Sequence, residues 1–591
     1  MPVNFREIVT DILILGAGGA GLFAALHAKR AAPECSVTIV VKGLLGKCGC
    51  TRMVQGGYNV ALAPEDSPER HFMDTIEGGK WLNDQDLAWL LVTGAQTRIR
   101  ELETEIGCFF DRNPDGTVHQ KAFAGQTFDR TVHKGDLTGI EIINRLAEQV
   151  HARAVARLED HRAIDLIPRA DGSGIAGVLL LDMRSGELVL AQARAVLLAT
   201  GGGPTMYRYH TPSGDKSCDG LAMALRAGLP LRDMEMVQFH PTGLLAGEGT
   251  RMTGTVLEEG LRGAGGFLID ATGERFMQLY DAAAERATRD IVSRAIIDRI
   301  NKGFGGPHGG VFIEMWHLGP DNVRRMFKGM VERCADCGFD LAAGRVEVIP
   351  TAHYLMGGVV FDTACRTPWH GLYAAGEDTG GVHGANRLGG NGVANSTVFG
   401  GLAGDAMAGD LPPSGTPLPE PDRHVLAAAA GRALAPRGRR PGDVAALRAE
   451  LARVMWEDVG VFRSAASLSR AVTALEALTA ALEESGVADT DRRYDIAWTE
   501  RLNLESLLLV SRAIVTASLL RTDSRGAHFR TDHPETSDLA TSRYTVVRLM
   551  GGEFAGTSEP VRFTRVRPGQ SLLDSAGPGS RAASAQLRSE A

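Results

Sequence analysis

The sequence predicts an α/β protein in which a Rossmann-like domain is interrupted by an inserted domain and followed by a helical domain. Three observations indicate this order. A short apolar run at 11–15 ends in a glycine-rich turn and is followed by a helical pattern. Two further strand-like segments that end in glycine, at 195–203 and 371–376, lie far along the chain. Beyond a proline-rich linker, alanine, leucine, arginine and glutamate recur with helical spacing.

The N-terminal glycine turn has the spacing of a dinucleotide fingerprint. Gly16, Gly18 and Gly21 follow the strand at 11–15, and a second strand at 37–41 completes a βαβ unit. Glycines at these positions allow the tight turn and let a pyrophosphate approach the N-terminus of the helix. The motif alone is weak evidence, but its place between two strands favours dinucleotide binding.

One position departs from this fingerprint. The second strand ends at Lys42, where an acidic residue is expected to hold a ribose hydroxyl. Glu377, which follows the strand-like segment at 371–376, is a second acidic candidate. The cofactor-binding domain is therefore predicted to form from two stretches of chain, separated by an insertion that can close over the cofactor. The predicted cofactor-binding domain comprises 1–244 and 349–410, with a capping domain at 245–348 inserted between them. A linker at 411–422 leads to a helical domain at 423–535. The C-terminal extension is 536–591, and its end, from about 569, is expected to be disordered.

Composition and charge argue against several classes of partner. The 591 residues include 44% hydrophobic and 23% charged residues, which is ordinary for a globular protein. The net charge of −8 and the lack of a basic stripe argue against nucleic acid. No apolar run approaches the roughly 18–20 residues of a membrane span, and the N-terminus lacks the layout of a signal peptide. We therefore expect a cytoplasmic protein with no direct membrane span.

The eight cysteines predict neither a disulfide framework nor a metal site. They include one C-x-C pair, Cys48 and Cys50, and one C-x-x-C pair, Cys334 and Cys337. Zinc needs about four ligands, and these two pairs lie far apart in sequence. Reduced thiols are expected, and the chain has no cysteine array of the kind that holds an iron–sulfur cluster.

Two histidines and an arginine lie on segments rich in glycine and turn-forming residues. His240 lies in the run QFHPTG, His353 in TAHY and Arg387 in HGANRLGGN. Imidazoles donate hydrogen bonds and a guanidinium grips a carboxylate through two parallel ones, which suits a small dianion. Each residue alone also has a structural explanation, such as a core histidine bonded to the backbone. The glycines around Arg387 are harder to explain in that way, because they would weaken any regular element.

These motifs and several others follow one another in the order of a known family. The matching stretches are QGG at 55–57, DLTG at 136–139, DMEMVQFHPTG at 233–243, EGLRG at 259–263, GERF at 273–276, TRD at 288–290, the loop at 383–391 and DSRGAHF at 523–529. In these residues the chain resembles the flavoprotein subunit family of fumarate reductase and succinate dehydrogenase, which also includes L-aspartate oxidase. The likeness runs from about residue 8 to about residue 535.

The resemblance implies an FAD-binding Rossmann-like domain, an inserted α+β capping domain and a C-terminal helical domain, with FAD as the cofactor. The glycine turn would face the pyrophosphate, Glu377 the adenosine ribose, and the QGG stretch the flavin. The full set of residues implied on the cofactor side is Gly16, Gly18, Gly21, Lys42, Thr51, Gln55, Gly56, Gly57, Gly201, Asp219, Glu377, Arg387 and Asn391.

The resemblance also implies a mechanism. In fumarate-reducing relatives, reduced flavin gives a hydride to one alkene carbon, and an arginine that Arg289 matches delivers a proton to the other. Glu259 and Arg262 match a relay that returns the proton. The groups that hold the two substrate carboxylates are matched by His240, His353 and Arg387. Electrons would pass to or from an iron–sulfur subunit, a diffusible donor or oxygen, and such a subunit would place the chain at the inner face of a membrane.

Three departures from the family pattern bear on function. Cys50 stands where succinate dehydrogenases carry a histidine bound covalently to flavin, so we expect non-covalent FAD, with a cysteinyl thioether as the alternative. Glu258 replaces a threonine that normally helps to hold a substrate carboxylate. It would repel a carboxylate unless it turns away or recognises a cationic or hydroxylated group. The residues GVAN at 392–395 replace the usual Ser-Leu-Leu.

Three other functions remain open. L-aspartate oxidase is the nearest alternative, but its Ala-Ser-containing loop and its acidic amine-binding residue near Phe123 are absent here. Dehydrogenation of another small carboxylic acid is a second alternative. A non-catalytic scaffold subunit of a redox complex is a third, and the presence of Arg289 and Arg387 argues against it.

Overall fold

The computed structural model describes residues 5–247, 250, 252–488 and 491–574. The first stretch of chain alternates strands and helices, as the N-terminal pattern predicts. Its elements are β1 (Arg6–Leu15), α1 (Gly19–Ala31), β2 (Val37–Val40), β3 (Tyr58–Asn59), α2 (Pro68–Gly78), α3 (Gln85–Thr104), β4 (Gln120–Lys121), β5 (Thr131–Val132), α4 (Thr138–Ala152), β6 (Ala156–Leu158), β7 (His161–Pro168), β8 (Ile175–Asp182), β9 (Glu187–Leu198), α5 (Asp219–Arg226), β10 (Leu231–Arg232) and β11 (Val237–Leu244).

The rest of the chain mixes short strands with longer helices. The region that follows β11 contains α6 (Gly260–Gly263), β12 (Phe267–Ile269), α7 (Arg289–Arg299), β13 (Val311–Glu314), α8 (Pro320–Met326) and α9 (Lys328–Ala335). The chain then returns through β14 (Arg345–Leu355), β15 (Gly358–Val359), β16 (Leu372–Ala374) and α10 (Asn391–Gly409). It ends with α11 (Arg423–Leu434), α12 (Val444–Asp458), α13 (Ala465–Glu484), α14 (Ile496–Leu520), β17 (Arg543–Met550) and β18 (Glu553–Pro560).

A seven-stranded sheet forms the centre of the part of the structure that begins with β1, which we call the first region. The strand order is β6-β2-β1-β9-β8-β7, and β16 pairs with β9. The strand β1 pairs in parallel with both neighbours, so Ile14 lies opposite Ile39 on one side and Leu197 on the other. Helices α1 and α10 pack on this sheet with their backbones almost in contact. A Cβ added at Gly400 of α10 would lie 2.5 Å from the carbonyl oxygen of Ala20 in α1. The second stretch of chain thus returns to the sheet that the first one starts.

A second, antiparallel sheet carries the inserted region. Its order is β11-β14-β13-β12, and β11 and β14 come from the two sides of the insertion. The register sets Phe239 opposite Ala352 and His240 opposite Thr351. Apolar side chains of α7, α8 and α9 pack with those of β12 and β13 in a separate core. The α/β fold class with an inserted α+β region and a helical C-terminal region is confirmed, whereas the boundaries given above stay a prediction.

The C-terminal helices α11 to α14 pack against the first region, and α14 also contacts α5. Among the described residues, α14 is the one helix long and apolar enough, by length and composition, to cross a membrane, and 72% of that window is buried inside the structure. The sequence analysis placed this segment in the helical domain but did not identify it as a long apolar helix, because charged residues such as Arg501 and Glu505 interrupt its apolar run. Its apolar side chains form part of the central core.

The C-terminal extension contains a hairpin that the sequence analysis did not predict. Strands β17 and β18 pair with each other, and β17 also pairs with β10, where Val547 lies opposite Leu231. The extension therefore belongs to a four-stranded sheet built on the first region. Of the end expected to be disordered, residues 575–591 lie outside the described residues, and Leu572–Asp574 form a 3₁₀ turn.

Candidate active site

One large cavity brings most of the predicted residues together. Its volume is about 660 Å³, and it lies between the carboxyl ends of β1 and β2, the start of α10 and the inserted region. The predicted residues that line it are Gly16, Gly18, Lys42, Thr51, Gln55, Gly56, Gly57, Gly201, Asp219, His240, Glu259, Arg289, His353, Glu377 and Arg387. The other three, Gly21, Arg262 and Asn391, lie behind this lining.

The glycine turn after β1 opens the cavity to the N-terminus of α1. Gly16 has φ of +114°, and a Cβ there would lie 2.1 Å from the carbonyl oxygen of Ala199. Gly21 does not line the cavity; a Cβ on it would lie 2.0 Å from the carbonyl oxygen of Gly16, so it allows helix and strand to pack closely. A Cβ at Gly18 would meet Thr51 Oγ1 at 3.6 Å, an ordinary contact distance, and the N–H of Gly19 donates to the same Oγ1 at 3.1 Å.

The acidic group missing from the end of β2 is supplied by another element. Lys42 Nζ donates to Asp219 Oδ2 at 3.0 Å and to Ser217 Oγ at 2.9 Å. Asp219 is the first residue of α5, and Arg162 contacts its other oxygen at 2.6 Å. Burial alone would raise the pKa of Asp219, but Arg162 and Lys42 outweigh it and lower that pKa below its usual value. A carboxylate is thus held ionised where the fingerprint requires one.

Glu377 lies elsewhere along the cavity. Its Oε1 accepts hydrogen bonds from the backbone N–H groups of Leu355 at 3.0 Å and Gly203 at 3.4 Å. Burial raises the pKa of Glu377 to about 7. In the described part of the chain, this carboxylate contacts neither Lys42 nor Asp219. It lies close enough to Cys50 for its charge to raise the pKa of that thiol. The role of Glu377 at the adenosine ribose stays a prediction, and Asp219, which Lys42 contacts at the end of β2, is a second acidic candidate for it.

The QGG stretch and the start of α10 form the next part of the wall. A Cβ at Gly56 would lie 2.5 Å from the ring of Phe123, so the glycine lets that aromatic ring come close. Asn391 is fully buried and does not line the cavity. Its Oδ1 accepts from Asn59 Nδ2 at 2.9 Å and is 3.0 Å from His71 Nε2. Asn391 thereby fixes the start of α10 from behind.

Cys50 begins a 3₁₀ turn, Cys50–Met53, that also lines the cavity. Burial raises the pKa of its thiol to about 12, and the charge of Glu377 adds to this effect. The reactive form of cysteine is the thiolate, so a neutral thiol is a poor nucleophile. All eight cysteines are free, and the described residues contain no group of three or more His, Cys, Asp or Glu side chains that can hold a metal ion.

The two predicted histidines meet because β11 and β14 are paired. The ring centroids of His240 and His353 are 5.4 Å apart. The N–H of Thr242 donates to His240 Nδ1 at 3.3 Å, which leaves the proton of a neutral ring on Nε2. Thr211 Oγ1 lies 2.7 Å from His353 Nδ1. Burial, followed by the charge of Arg289, lowers the pKa of both histidines well below the usual value, so both rings are neutral hydrogen-bond donors.

Arg289, at the start of α7, is held by a buried carboxylate. Its Nη2 and Nε contact Glu259 Oε2 at 2.6 and 3.1 Å. Arg262 Nη2 lies 3.5 Å from Glu259 Oε1, and Arg262 is fully buried behind the cavity wall. Burial would raise the pKa of Glu259, but Arg289 and Arg262 lower it below the usual value. The three side chains form one continuous charged chain.

Arg387 approaches the same cluster from the glycine loop. Its guanidinium lies 4.5 Å from the ring centroid of Tyr354, and its buried Nε has no hydrogen-bond partner among the described residues. Burial, with the nearby charge of Arg289, lowers the pKa of Arg387 to about 10. The sequence analysis missed the group that connects the two arginines. Gln238 accepts from Arg289 Nη1 at 3.0 Å and donates to the Arg387 carbonyl oxygen at 2.7 Å.

Lys121 and Arg333 were not assigned a role from sequence, and each contacts a residue that lines the cavity. Glu258 faces the cavity and pairs with Lys121, so it does not turn away. Arg333 of α9 donates to the carbonyl oxygen of Val256 at 3.1 Å and lies against Gln55. Gln238 lay within a matched motif and was identifiable from it. The sequence offers no such signal for Lys121 or Arg333, because neither lies in a matched stretch.

Comparison with known proteins identifies relatives over almost the whole chain. The family model described as FAD binding domain matches residues 11–393, and the one described as Fumarate reductase flavoprotein C-term matches residues 448–573. A Methanothermobacter marburgensis subunit of fumarate reductase (CoM/CoB) is 40% identical over 552 residues, which cover 92% of this chain and 98% of the relative. L-aspartate oxidase of Streptomyces coelicolor is 36% identical and covers 93% of both chains.

A solved structure shows the same relationship. The structure of a mutant Escherichia coli quinol fumarate reductase superimposes with a TM-score of 0.90 at 31% sequence identity, covering 96% of this chain and 99% of the other. The cavity therefore lies in a fold shared over nearly the full length of both chains.

Proposed function

Because this chain belongs to the flavoprotein subunit family of fumarate reductase and succinate dehydrogenase, we propose that it interconverts a small dicarboxylate and its alkene, as in succinate and fumarate. It is an FAD-dependent oxidoreductase. The observation that carries the proposed reaction is the meeting of Arg289, His240, His353 and Arg387 in the cavity that also reaches the glycine turn.

The cavity fits FAD. The backbone N–H groups at the start of α1 favour a pyrophosphate beside Gly18, and a Cβ added at Gly201 would meet nothing within 4 Å. The neutral thiol of Cys50 supports non-covalent binding. The proposed contacts are Gly16, Gly18 and Thr51 for the pyrophosphate, Lys42 and Asp219 for the adenosine ribose, and Gln55, Gly56, Gly57, Gly201, Glu377 and Arg387 for the flavin and its ribityl chain, with Gly21 and Asn391 acting from behind.

The charges in the part of the cavity around Arg289 suit a dianionic substrate. Three guanidinium groups, those of Arg262, Arg289 and Arg387, face one ionised carboxylate, that of Glu259. Among these four side chains two positive charges remain, which two substrate carboxylates would balance. Glu285, which also pairs with Arg275, acts on Arg262 as well, and Glu377 acts on Arg387. Neutral His240 and His353 add hydrogen-bond donors without adding charge. Their pull on a carboxylate stabilises the negative charge that develops on the adjacent carbon as the double bond is reduced.

Arg289 is the proposed proton donor. FAD bound in its reduced form would supply the hydride for one alkene carbon, and Arg289 would protonate the other. A guanidinium normally keeps its proton, so its loss has to be brief and quickly reversed. Glu259, 2.6 Å from Arg289 Nη2, is placed to return the proton, and Arg262 holds the other oxygen of that carboxylate. These three residues lie in the inserted region, so its closure would complete the site and exclude water.

The proposed reaction needs a second redox group that exchanges electrons with the bound FAD. Relatives of this chain are named as subunits, and we infer that an iron–sulfur subunit exchanges electrons with the bound FAD. Through that subunit the chain would lie at the cytoplasmic face of a membrane.

Fumarate-dependent oxidation of a reduced viologen dye by the purified holoprotein tests the proposed reaction. We expect Arg289→Lys to lower turnover by roughly 100-fold or more while FAD stays bound, because a positioned general acid contributes on the order of 10²–10⁴. Arg286→Lys is the matched control, since Arg286 is exposed and three residues away. Full turnover by Arg289→Lys would contradict the assigned role.

A further inference from the structure

Glu258 is a nearly buried carboxylate that faces the cavity with little to neutralise it. It lines the cavity, and its side chain is 5% exposed. Its one ion pair joins Oε2 to Lys121 Nζ at 3.4 Å, longer than the about 2.7–2.9 Å of a strong charge-assisted bond. Burial raises the pKa of Glu258, and Lys121 offsets only part of this effect. No other hydrogen bond to this carboxylate occurs within the described ranges.

The two adjacent glutamates are affected by different charged groups. The charges that act on Glu259 are those of Arg289, Arg262 and Arg387. The largest charge effects on Glu258 come from Lys121, Asp136 and Arg333. We call the first set the inner cluster and the second set the outer cluster. Both glutamates open onto the same cavity.

The outer cluster has no surplus of positive charge for a carboxylate. Lys121 and Arg333 are balanced by Glu258 and Asp136, whereas the inner cluster keeps two positive charges in excess. A ligand carboxylate placed beside Glu258 would face a like charge in a partly dry site. A hydrogen-bond donor placed there would satisfy a buried carboxylate that has one long contact, which is favourable because an under-satisfied buried charge is costly.

We propose that Glu258 recognises a hydroxyl or ammonium group on the substrate, so that this chain prefers a small dicarboxylate carrying such a donor to the unsubstituted one. The inference rests on the proposed function, since it takes the inner cluster as the site of the two carboxylates. Lys121 contacts the carboxylate of Glu258 and partly neutralises its charge. Phe123, two residues beyond Lys121, lies against Gly56 and Gly389 and so ties this segment to the inner cluster.

Ligand titration of the oxidised holoprotein tests this preference without turnover. Succinate, hydroxysuccinate and aminosuccinate would be added in turn, with the change in flavin absorbance giving each Kd. We expect at least one donor-bearing ligand to bind roughly tenfold or more tightly than succinate, the size of one hydrogen bond to a charged group. Glu258→Ala should remove that preference and leave FAD bound. Glu332→Gln, on the exposed surface of α9, is the control and should keep it.

Glu258→Gln separates the two donor chemistries. An amide oxygen still accepts from a hydroxyl but cannot balance an ammonium, so the preference for hydroxysuccinate should persist and that for aminosuccinate should fall. If Glu258→Ala loses its FAD, Lys121→Met replaces it. Without Lys121 the pKa of Glu258 rises further, so the carboxyl is more often protonated and the preference for aminosuccinate should fall.

Three results would overturn the inference. They are wild-type binding of succinate as tight as that of both other ligands, an unchanged preference in Glu258→Ala, and an unchanged preference in Lys121→Met. Failure of the proposed function would show differently. In that case fumarate would not reoxidise the reduced flavin of the same preparation, whatever the ratio of the three Kd values.

Discussion

Arg289 contacts a single carboxylate oxygen of Glu259 through two nitrogens, Nη2 at 2.6 Å and Nε at 3.1 Å. Its remaining nitrogen, Nη1, is held by Gln238 at 3.0 Å. A long, flexible side chain is thereby fixed at all three nitrogens inside the cavity. In the proposed role of proton donor, a guanidinium fixed in this way stays within reach of the substrate and loses no rotamer freedom at each turnover.

Glu259→Gln should abolish most turnover without loss of FAD. The amide keeps the shape of the side chain but cannot return a proton to Arg289, so we expect a fall of roughly 100-fold or more in the rate of fumarate reduction. Steady-state kinetics with reduced viologen would measure it. A fall in kcat with little change in KM is expected, because Glu259 touches Arg289 and not the substrate. Glu332→Gln is the control for the same chemical change at an exposed site.

His240 and His353 should lower the free energy of unfolding at acidic pH. Their pKa values are lowered in the folded chain, so below the ordinary value of 6.5 the unfolded chain binds more protons and unfolding is favoured as pH falls. Relative to a His240→Gln/His353→Gln double variant, the wild type should lose up to about 2.7 kcal/mol per pH unit below this value. Chemical denaturation at pH 7.5, 6.0 and 5.0 would measure the difference. A difference independent of pH would show that the rings are protonated when folded.

FAD should leave the protein on denaturation. The neutral thiol of Cys50 cannot readily attack the flavin, because its pKa is raised to about 12. Precipitation with acid should therefore release yellow flavin into the supernatant, and Cys50→Ala should still purify with FAD. Flavin that stays with the precipitate of the wild type, but not of Cys50→Ala, would establish a thioether instead.

Gly21→Ala should weaken FAD binding and destabilise the first region. The added methyl group would lie 2.0 Å from the Gly16 carbonyl oxygen, so α1 must move away from the turn. Overpacking of this kind typically costs about 1–3 kcal/mol. FAD content and thermal melting would measure both effects. Gly431→Ala is the matched control, because that glycine lies exposed in α11 with nothing within 4 Å of an added Cβ and should be neutral or slightly stabilising.

The motifs identify the contents of the site, and the pairing of strands explains why they meet. The βαβ fingerprint, His240, His353 and Arg387 were all identifiable from sequence because each lies in a short local pattern. Their distances were not, since the register of β11 against β14 sets the approach of the two histidines. The contacts of Glu377 were not identifiable either, because its place in the sequence says nothing of where it lies along the cavity.

Contacts between segments that are far apart in sequence were the hardest to predict. Lys121 meets Glu258 across 137 residues, and neither residue's neighbours indicate the other. The hairpin β17–β18 was assigned to an extension because its partner, β10, is two residues long and lies more than 300 residues earlier. Such pairing depends on burial and register in three dimensions, which local patterns do not encode.

The most direct test is a single turnover without oxygen. The purified holoprotein is reduced with dithionite until its flavin absorbance is lost, and one equivalent of fumarate is then added. The proposed function predicts rapid return of the oxidised flavin spectrum with formation of succinate, and a much slower return in Arg289→Lys. Flavin that stays reduced with fumarate, yet reoxidises at once in air, would contradict it.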